Sequence, residues 1–174
     1  MISAEQRAEW ANVAATNPSW GQTLTDQLPY LNTVEIDNSI APHAECQLLN
    51  AHNRSFRVIE FNAGRGRWWL ESASLLRGYD VIILNEMDIG MARSDQQHTT
   101  RLLAHYLGMN YAWGLEFIEL TNGNQADRDV TSGFTNRYGL HGNAFLTRCK
   151  IFDPVIFRDK VGLYFSNKKI ELNA

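Results

Sequence analysis

The chain has only two cysteines and four prolines in 174 residues, and no excess of positive charge. Cys46 and Cys149 stand far apart and match no metal-binding or redox spacing, which excludes a zinc module and a thioredoxin-type motif; two buried free thiols are expected. No apolar run approaches the ~18 residues of a membrane span. The N-terminal stretch MISAEQRAEWANVAATN carries Glu5, Arg7 and Glu9 where a signal peptide requires an apolar core, so a soluble, cytoplasmic protein is expected. The 16 basic residues are outnumbered by 19 acidic ones, for a formal charge of -3, so charge alone does not favour binding to long duplexes. Repeats and low-complexity tracts are absent too. What is present, 44% hydrophobic against 20% charged residues, suffices for one domain with a real core and excludes a disordered chain.

Along the chain, residues 3–16 read as a helix, with Ser3 as N-cap and Gln6 completing a capping-box spacing before Asn17-Pro18 stops it. Residues 1–54 as a whole read as an N-terminal extension of short helices and loops. The main domain, residues 55–174, opens with a short apolar strand (Phe56, Val58, Ile59, Phe61). A helix carrying Trp68, Leu70, Ala73, Leu75 and Leu76 follows. Then comes the uninterrupted run Val81-Ile82-Ile83-Leu84, which asks for a strand covered on both faces. Residues 94–107 predict a second helix, with Ser94 and Gln97 as its capping box, and residues 109–120 a strand. The polar stretch 121–140 is too long for a simple turn and reads as a surface loop. Residues 142–148 and 150–159 predict consecutive strands, and a final hairpin is centred near Ser166-Asn167.

Two chemistries share the stretch FRVIEFNAGRGRWWLESASLLRGYDVIILNEMD. In a dinucleotide-binding unit, Gly64 and Gly66 cradle a pyrophosphate and Glu86, 86 − 64 = 22 residues later, holds a ribose. The third glycine of that fingerprint falls on Trp69, where an indole would hold helix and strand apart. In the other chemistry, Asn62 and Glu86 end two neighbouring parallel strands and share one rim, where a carboxylate suits a hard divalent cation.

The order of four pieces, FRVIEFNAGRG, DVIILNEMD, LAHYLGMNYAWGLEFIEL and GLHGNAFLTRCKI, resembles the endonuclease/exonuclease/phosphatase superfamily, whose fold is that of pancreatic deoxyribonuclease. In that family a first strand ends in Asn and a second in an acid; an LGM-aromatic stretch and a G-N-A-hydrophobic-L-S/T-R strand come next. Here these positions hold Asn62, Asn85-Glu86, Leu107-Gly108-Met109 with Tyr111, and GNAFLTR at residues 142–148. The likeness covers roughly residues 56–159.

The resemblance implies an α/β fold, a two-sheet β-sandwich flanked by helices in four layers. It implies magnesium-dependent hydrolysis of phosphoesters, with manganese as the alternative ion and nucleic acid, phospholipid headgroups or small phosphoesters as substrates. Glu86 would hold the metal, and Asn62 would help position the metal site and the phosphate. The family's later motifs, an Asp-x-Asn pair and a final Asp-His, have no counterpart: no Asp-x-Asn occurs, and no histidine follows Arg148. The chain therefore corresponds to the N-terminal half of such an enzyme, expected to be inactive as it stands. An uncovered apolar face would favour self-association or await the missing C-terminal half. The rival reading is a non-catalytic module of the same fold that binds a phospho-ligand or a protein; dinucleotide binding stands third.

Further residues bear on the site. Arg93 could reach a phosphate or pair with Asp88 or Asp95. His141 and Asn143 flank Gly142 and are candidates for substrate contact. His98 and His105, about 10 Å apart along a helix at ~1.5 Å per residue, cannot share one metal. Asp127 and Asp129 read as solvated charge. Arg65, Arg67, Trp68 and Trp69 form a basic-aromatic cluster in which at least one indole should face the core.

Overall fold

Residues 2–17, 29–42, 55–157, 164–166 and 169–171 are described by the computed structural model. Helix α1 (Ala4–Thr16) is capped by Ser3, whose hydroxyl accepts from the Gln6 N–H at 3.2 Å, as the spacing predicts. A 3-10 turn (Pro29–Asn32) leads into a strand absent from the sequence reading, β1 (Val34–Asp37). Then β2 (Val58–Arg65), α2 (Trp69–Leu76) and β3 (Val81–Ile89) form the expected crossover, with β2 and β3 parallel. Helix α3 (Thr99–Leu107), β4 (Asn110–Glu119), a short α4 (Gln125–Val130) and β5 (Leu140–Thr147) follow. The expected closing hairpin is β6 (Tyr164–Ser166) paired with β7 (Lys169–Glu171).

All seven described strands belong to one mixed sheet, in the order β2-β3-β5-β4-β7-β6, with β1 also paired to β4. The fold class is α/β, as the sequence predicts. Register decides which side chains share a face. Ile59, Ile82, Leu146 and Tyr111 lie in one row, and Phe61, Leu84, Ala144 and Trp113 in the next. These belong to or pack on the core, together with Leu76 from α2 and Leu103 from α3. Each fully buried aliphatic side chain contributes about 1.5–3 kcal/mol.

The next row, Glu60, Ile83, Phe145, Ala112 and Ile36, points the other way. Here Ile83 is 40% exposed and Val58, one register step along, is 54% exposed. The apolar run at residues 81–84 asks for cover on both faces, and the described residues supply it on one. At the β1/β4 end, residues 151–156 lie across this second face, where a Cβ at Gly114 would stand 3.4 Å from the Ile156 side chain.

Four expectations need correction. Residues 1–54 are not a separate extension where they are described: Ile2, Trp10 and Leu31 are buried in the common core, and β1 is part of the sheet. Residues 150–157 form no strand, because Lys150 and its neighbours leave the ladder after Thr147 to cross the sheet face. Helix α3 starts at Thr99 rather than Ser94. Residues 92–94 form a 3-10 turn, Asp95 and Gln96 are left-handed, and the His98 imidazole caps the helix by accepting from the Arg101 N–H. Cys149 is disulfide-bonded rather than a free thiol, a state that sequence separation cannot reveal; Cys46 lies outside the described residues.

His98 and His105 each meet an acid on β1. Glu35 lies 2.8 Å from His98 Nε2 and accepts from Arg101 (3.1 Å) and from the Tyr111 hydroxyl (2.6 Å). Asp37 lies 2.9 Å from His105 Nε2. Burial pushes the Glu35 carboxyl up, but the hydrogen bonds from His98, Tyr111 and Arg101 outweigh it and bring it to about 2. Hydrogen bonds from Ser39, opposed by burial and helped by His105, bring Asp37 to about 2. Both acids are lower in the folded chain than in the unfolded one. Their stabilisation is therefore present above the ordinary carboxylate range and is lost as pH falls through it toward about 2. With the Glu35 side chain 38% exposed, solvent screening limits its share. Glu35→Gln is expected to cost about 1 kcal/mol at neutral pH and much less near pH 3, read from urea midpoints at both values. An equal cost at the two pH values would contradict the pairing.

Candidate active site at a line of strand bulges

Strand pairing breaks at one level in three neighbouring pairs. Between Asn62↔Asn85 and Arg65↔Met87, β2 carries one residue more than β3. Between Leu84↔Ala144 and Met87↔Gly142, β3 holds Asn85 and Glu86 against Asn143 alone. Between Leu115↔Gly142 and Phe117↔His141, β4 carries the extra Glu116. Each extra residue shifts the side-chain alternation by one. In β3, Ile82 and Leu84 are buried before the bulge and Met87 and Ile89 after it. Asp88 is thereby turned to the face of its register partner His141.

Glu86 occupies the bulge with φ +61°, a left-handed conformation that destabilises a non-glycine residue by about 1–2 kcal/mol. Two hydrogen bonds hold it. Its Oε1 accepts from Asn62 Nδ2 at 2.9 Å, and its backbone N–H donates to Asn143 Oδ1 at 3.3 Å. Asn62 Oδ1 in turn accepts from the Gly64 N–H at 2.9 Å, and Asn143 Nδ2 donates to Glu116 Oε2 at 3.3 Å. Asn62, Glu86, Asn143 and Glu116 thus form one chain of contacts across four strands. Gly142 permits it, since a Cβ there would collide with the Gly114 carbonyl and the Trp113 indole.

Beside this chain lies a cavity of about 340 Å³, lined by Arg65, Glu86, Glu116, Phe117, Glu119 and His141 from the sheet and by Arg93, Gly123, Asn124 and Asp127. A buried charge cluster forms its floor. Asp88, fully buried, accepts two bonds from Arg93, at 2.8 Å from Nε and 3.0 Å from a terminal nitrogen, and one from the Ser94 hydroxyl at 3.2 Å. Another Arg93 nitrogen meets Asp127 at 3.2 Å and Glu119 at 3.6 Å. Asp127 also accepts from Arg65 and closes a capping box with Asn124 at the start of α4. Burial pushes the Asp88 carboxyl up, but the hydrogen bonds of Arg93 and His141 bring it below the ordinary range. Burial likewise lowers the Arg93 guanidinium, and pairing with Asp88, Asp127 and Glu119 more than reverses it.

His141 Nδ1 lies 2.6 Å from Asp88 Oδ1, and its ring stacks on Phe117 with centroids 4.4 Å apart. Arg93 also approaches Nδ1, at 3.3 Å, the weaker contact. An ionised carboxylate only accepts, so the proton sits on Nδ1.

The five residues singled out from sequence, Asn62, Glu86, Arg93, His141 and Asn143, therefore all fall in or beside one site. Arg93 is committed to Asp88, Asp127 and Glu119, and does not pair with the exposed Asp95. Sequence reasoning missed three members. Asp127 is 2% exposed rather than solvated, and Glu116 and Glu119 carried no motif. The one available signal for Asp127 was the Asn124/Asp127 capping-box spacing.

The glycines play another part. A Cβ on Gly66 would sit 2.5 Å from the Thr99 side chain, so close packing against α3 accounts for that glycine. Trp69 is part-buried, donating to Gln97 at 3.0 Å, while Trp68 is 60% exposed. No family model, no curated protein and no solved structure matches the chain.

Two substitutions test this geometry. Glu86→Gly is expected to be about 1 kcal/mol more stable than Glu86→Ala in chemical denaturation, since both lose the carboxylate and only glycine is at ease at positive φ. Arg93→Met should lower stability by about 3–5 kcal/mol, because it strands buried carboxylates. A loss below about 1 kcal/mol would mean that the cluster is open to water.

Proposed function

We propose that the chain carries the metal-holding half of a magnesium-dependent phosphoesterase, built on one sheet of a two-sheet sandwich of the deoxyribonuclease type. The observation that carries this reading is the bond between Asn62 and Glu86 on adjacent parallel strands, at a bulge where Glu86 is strained. Strained polar residues at strand bulges cluster where a site needs them.

The donor set fits the ion. Glu86 Oε1 is held by Asn62, and Oε2 makes no hydrogen bond among the described residues, offering a hard oxygen to a hard cation. Asn62, its carbonyl engaged by Gly64, serves to orient the carboxylate. No cluster of three or more His, Cys, Asp or Glu suited to a metal occurs among the described residues. An ion held by one carboxylate, waters and a phosphate oxygen does not require one. Bound there, magnesium, or manganese in its place, supplies Lewis acidity to the phosphoryl oxygen and the leaving group. Asn143 fixes the backbone of Glu86, and Arg65, part-exposed at the cavity, is the cation nearest to hand for a phosphate. The open sheet face around Val58, Ile83 and Phe145 is where the second sheet of such a sandwich, or another copy of the chain, would pack. By itself the chain is expected to bind the ion with little turnover.

Titration calorimetry with magnesium chloride tests the reading. The wild type should bind the ion and Glu86→Ala should not, while Asn62→Ala should weaken binding by about 10–100-fold. Unchanged affinity in Glu86→Ala would sink it.

A further inference from the structure

We propose that Asp88 and His141 form an acceptor dyad that makes the cavity select a phosphoryl group carrying its own proton, a phosphate monoester or inorganic phosphate, over an anion that has none. The inference rests on the reading of the cavity as a phosphoester site and names the ligand class that site takes.

Four observations carry it. Asp88 is itself immobilised by Arg93 and Ser94, so its hold on His141 Nδ1 is rigid. That hold places a proton on Nδ1, so that in the neutral imidazole Nε2 is the acceptor. The Phe117 stack fixes the plane of the ring. The imidazole is 5% exposed and lines the cavity, yet Nε2 has no hydrogen-bond partner among the described residues. Nε2 is thus an acceptor open to the cavity, and a ligand that displaces water from it has to supply a donor in its place.

The rest of the wall sharpens the demand. Glu86, Glu116, Glu119 and Asp127 line the same cavity and, ionised, can only accept. Arg93, the buried cation, has its nitrogens directed at Asp88, Asp127 and Glu119. Arg65, paired with Asp127, offers any phosphoryl group a donor, but against the carboxylates and Nε2 an anion without a proton presents lone pairs to lone pairs. A phosphate monoester in its protonated form offers one P–O–H, which Nε2 accepts while magnesium at Glu86 balances the remaining charge. A phosphodiester or sulfate offers no donor. Such a mismatch, leaving a buried acceptor unpaired, weakens binding on the order of tenfold or more.

The test uses the full chain with 15N-labelled histidine. In the free protein, long-range imidazole spectra should show His141 as the Nδ1–H tautomer. Titration with sodium phosphate in the presence of magnesium should then shift the Nε2 resonance, while sodium sulfate and dimethyl phosphate bind at least about tenfold more weakly. His141→Phe keeps the ring stack and removes the acceptor, so it should bring phosphate and sulfate to equal affinity. A Nε2–H tautomer, an Nε2 resonance unmoved by phosphate, or discrimination that survives His141→Phe would each overturn the proposal. Failure of the metal reading is separate, and is seen when Glu86→Ala leaves the magnesium dependence of phosphate binding unchanged.

Discussion

A single extra residue in β3, Glu86 at φ +61°, is the constraint on which the rest of the site depends. Because side chains alternate along a strand, this bulge sends Met87 into the core and turns Asp88 to the opposite face. Matching irregularities in β2 and β4 keep the neighbouring strands in step, so Asn62, Asn143 and Glu116 arrive at the same level. Remove the bulge, and Asp88 would be driven toward the apolar core while Glu86 lost its place beside Asn62. The strain of about 1–2 kcal/mol is offset by the hydrogen bonds that hold Glu86 on both sides.

Behind the bulge, electrostatics takes over from packing. Arg93 sits where three carboxylates converge, and their field favours its charged form despite burial, while Arg93 and His141 hold the Asp88 carboxyl below the ordinary range. Such a cluster is weak as a source of stability but strong as a device for orientation, since each member is fixed by several partners. His141 inherits that rigidity through Asp88. The polar stretch 121–140 belongs to the same device: α4 brings Asp127 under Arg65 and Arg93, so what reads as a surface loop forms a wall of the cavity.

On the far side of the sheet the physics is simpler. Ile83 sits in the middle of an apolar run but keeps 40% of its surface exposed, and Val58 and Phe145 stand in neighbouring positions. A strand with this composition is made for two covers. Helices α2 and α3 provide the first, and residues 151–156 reach only part of the second face.

The crossover at residues 56–88, α1, β4 and β5 were legible because hydrophobic periodicity and capping residues act locally. Asn62 and Glu86 were legible as polar residues that interrupt apolar runs, a local signal, and parallel pairing brings them together; they do not end their strands as expected, since β2 continues to Arg65 and β3 to Ile89. The start of α3 was misread because Ser94 and Gln97 have capping-box spacing, yet the Ser94 hydroxyl is drawn to Asp88 and His98 becomes the cap. Strand β1 was invisible because its four residues gain stability from pairing with β4 and from the bonds of Glu35 and Asp37 to α3, partners more than 60 positions away in the chain. By itself, then, the sequence determined the α/β class, the parallel pair and the two polar residues that interrupt its apolar runs, all set by short-range pattern. Only the tertiary structure decided the bulge line, the burial of Arg93 with three acids and the aim of His141, because register and charge pairing depend on which distant strands meet.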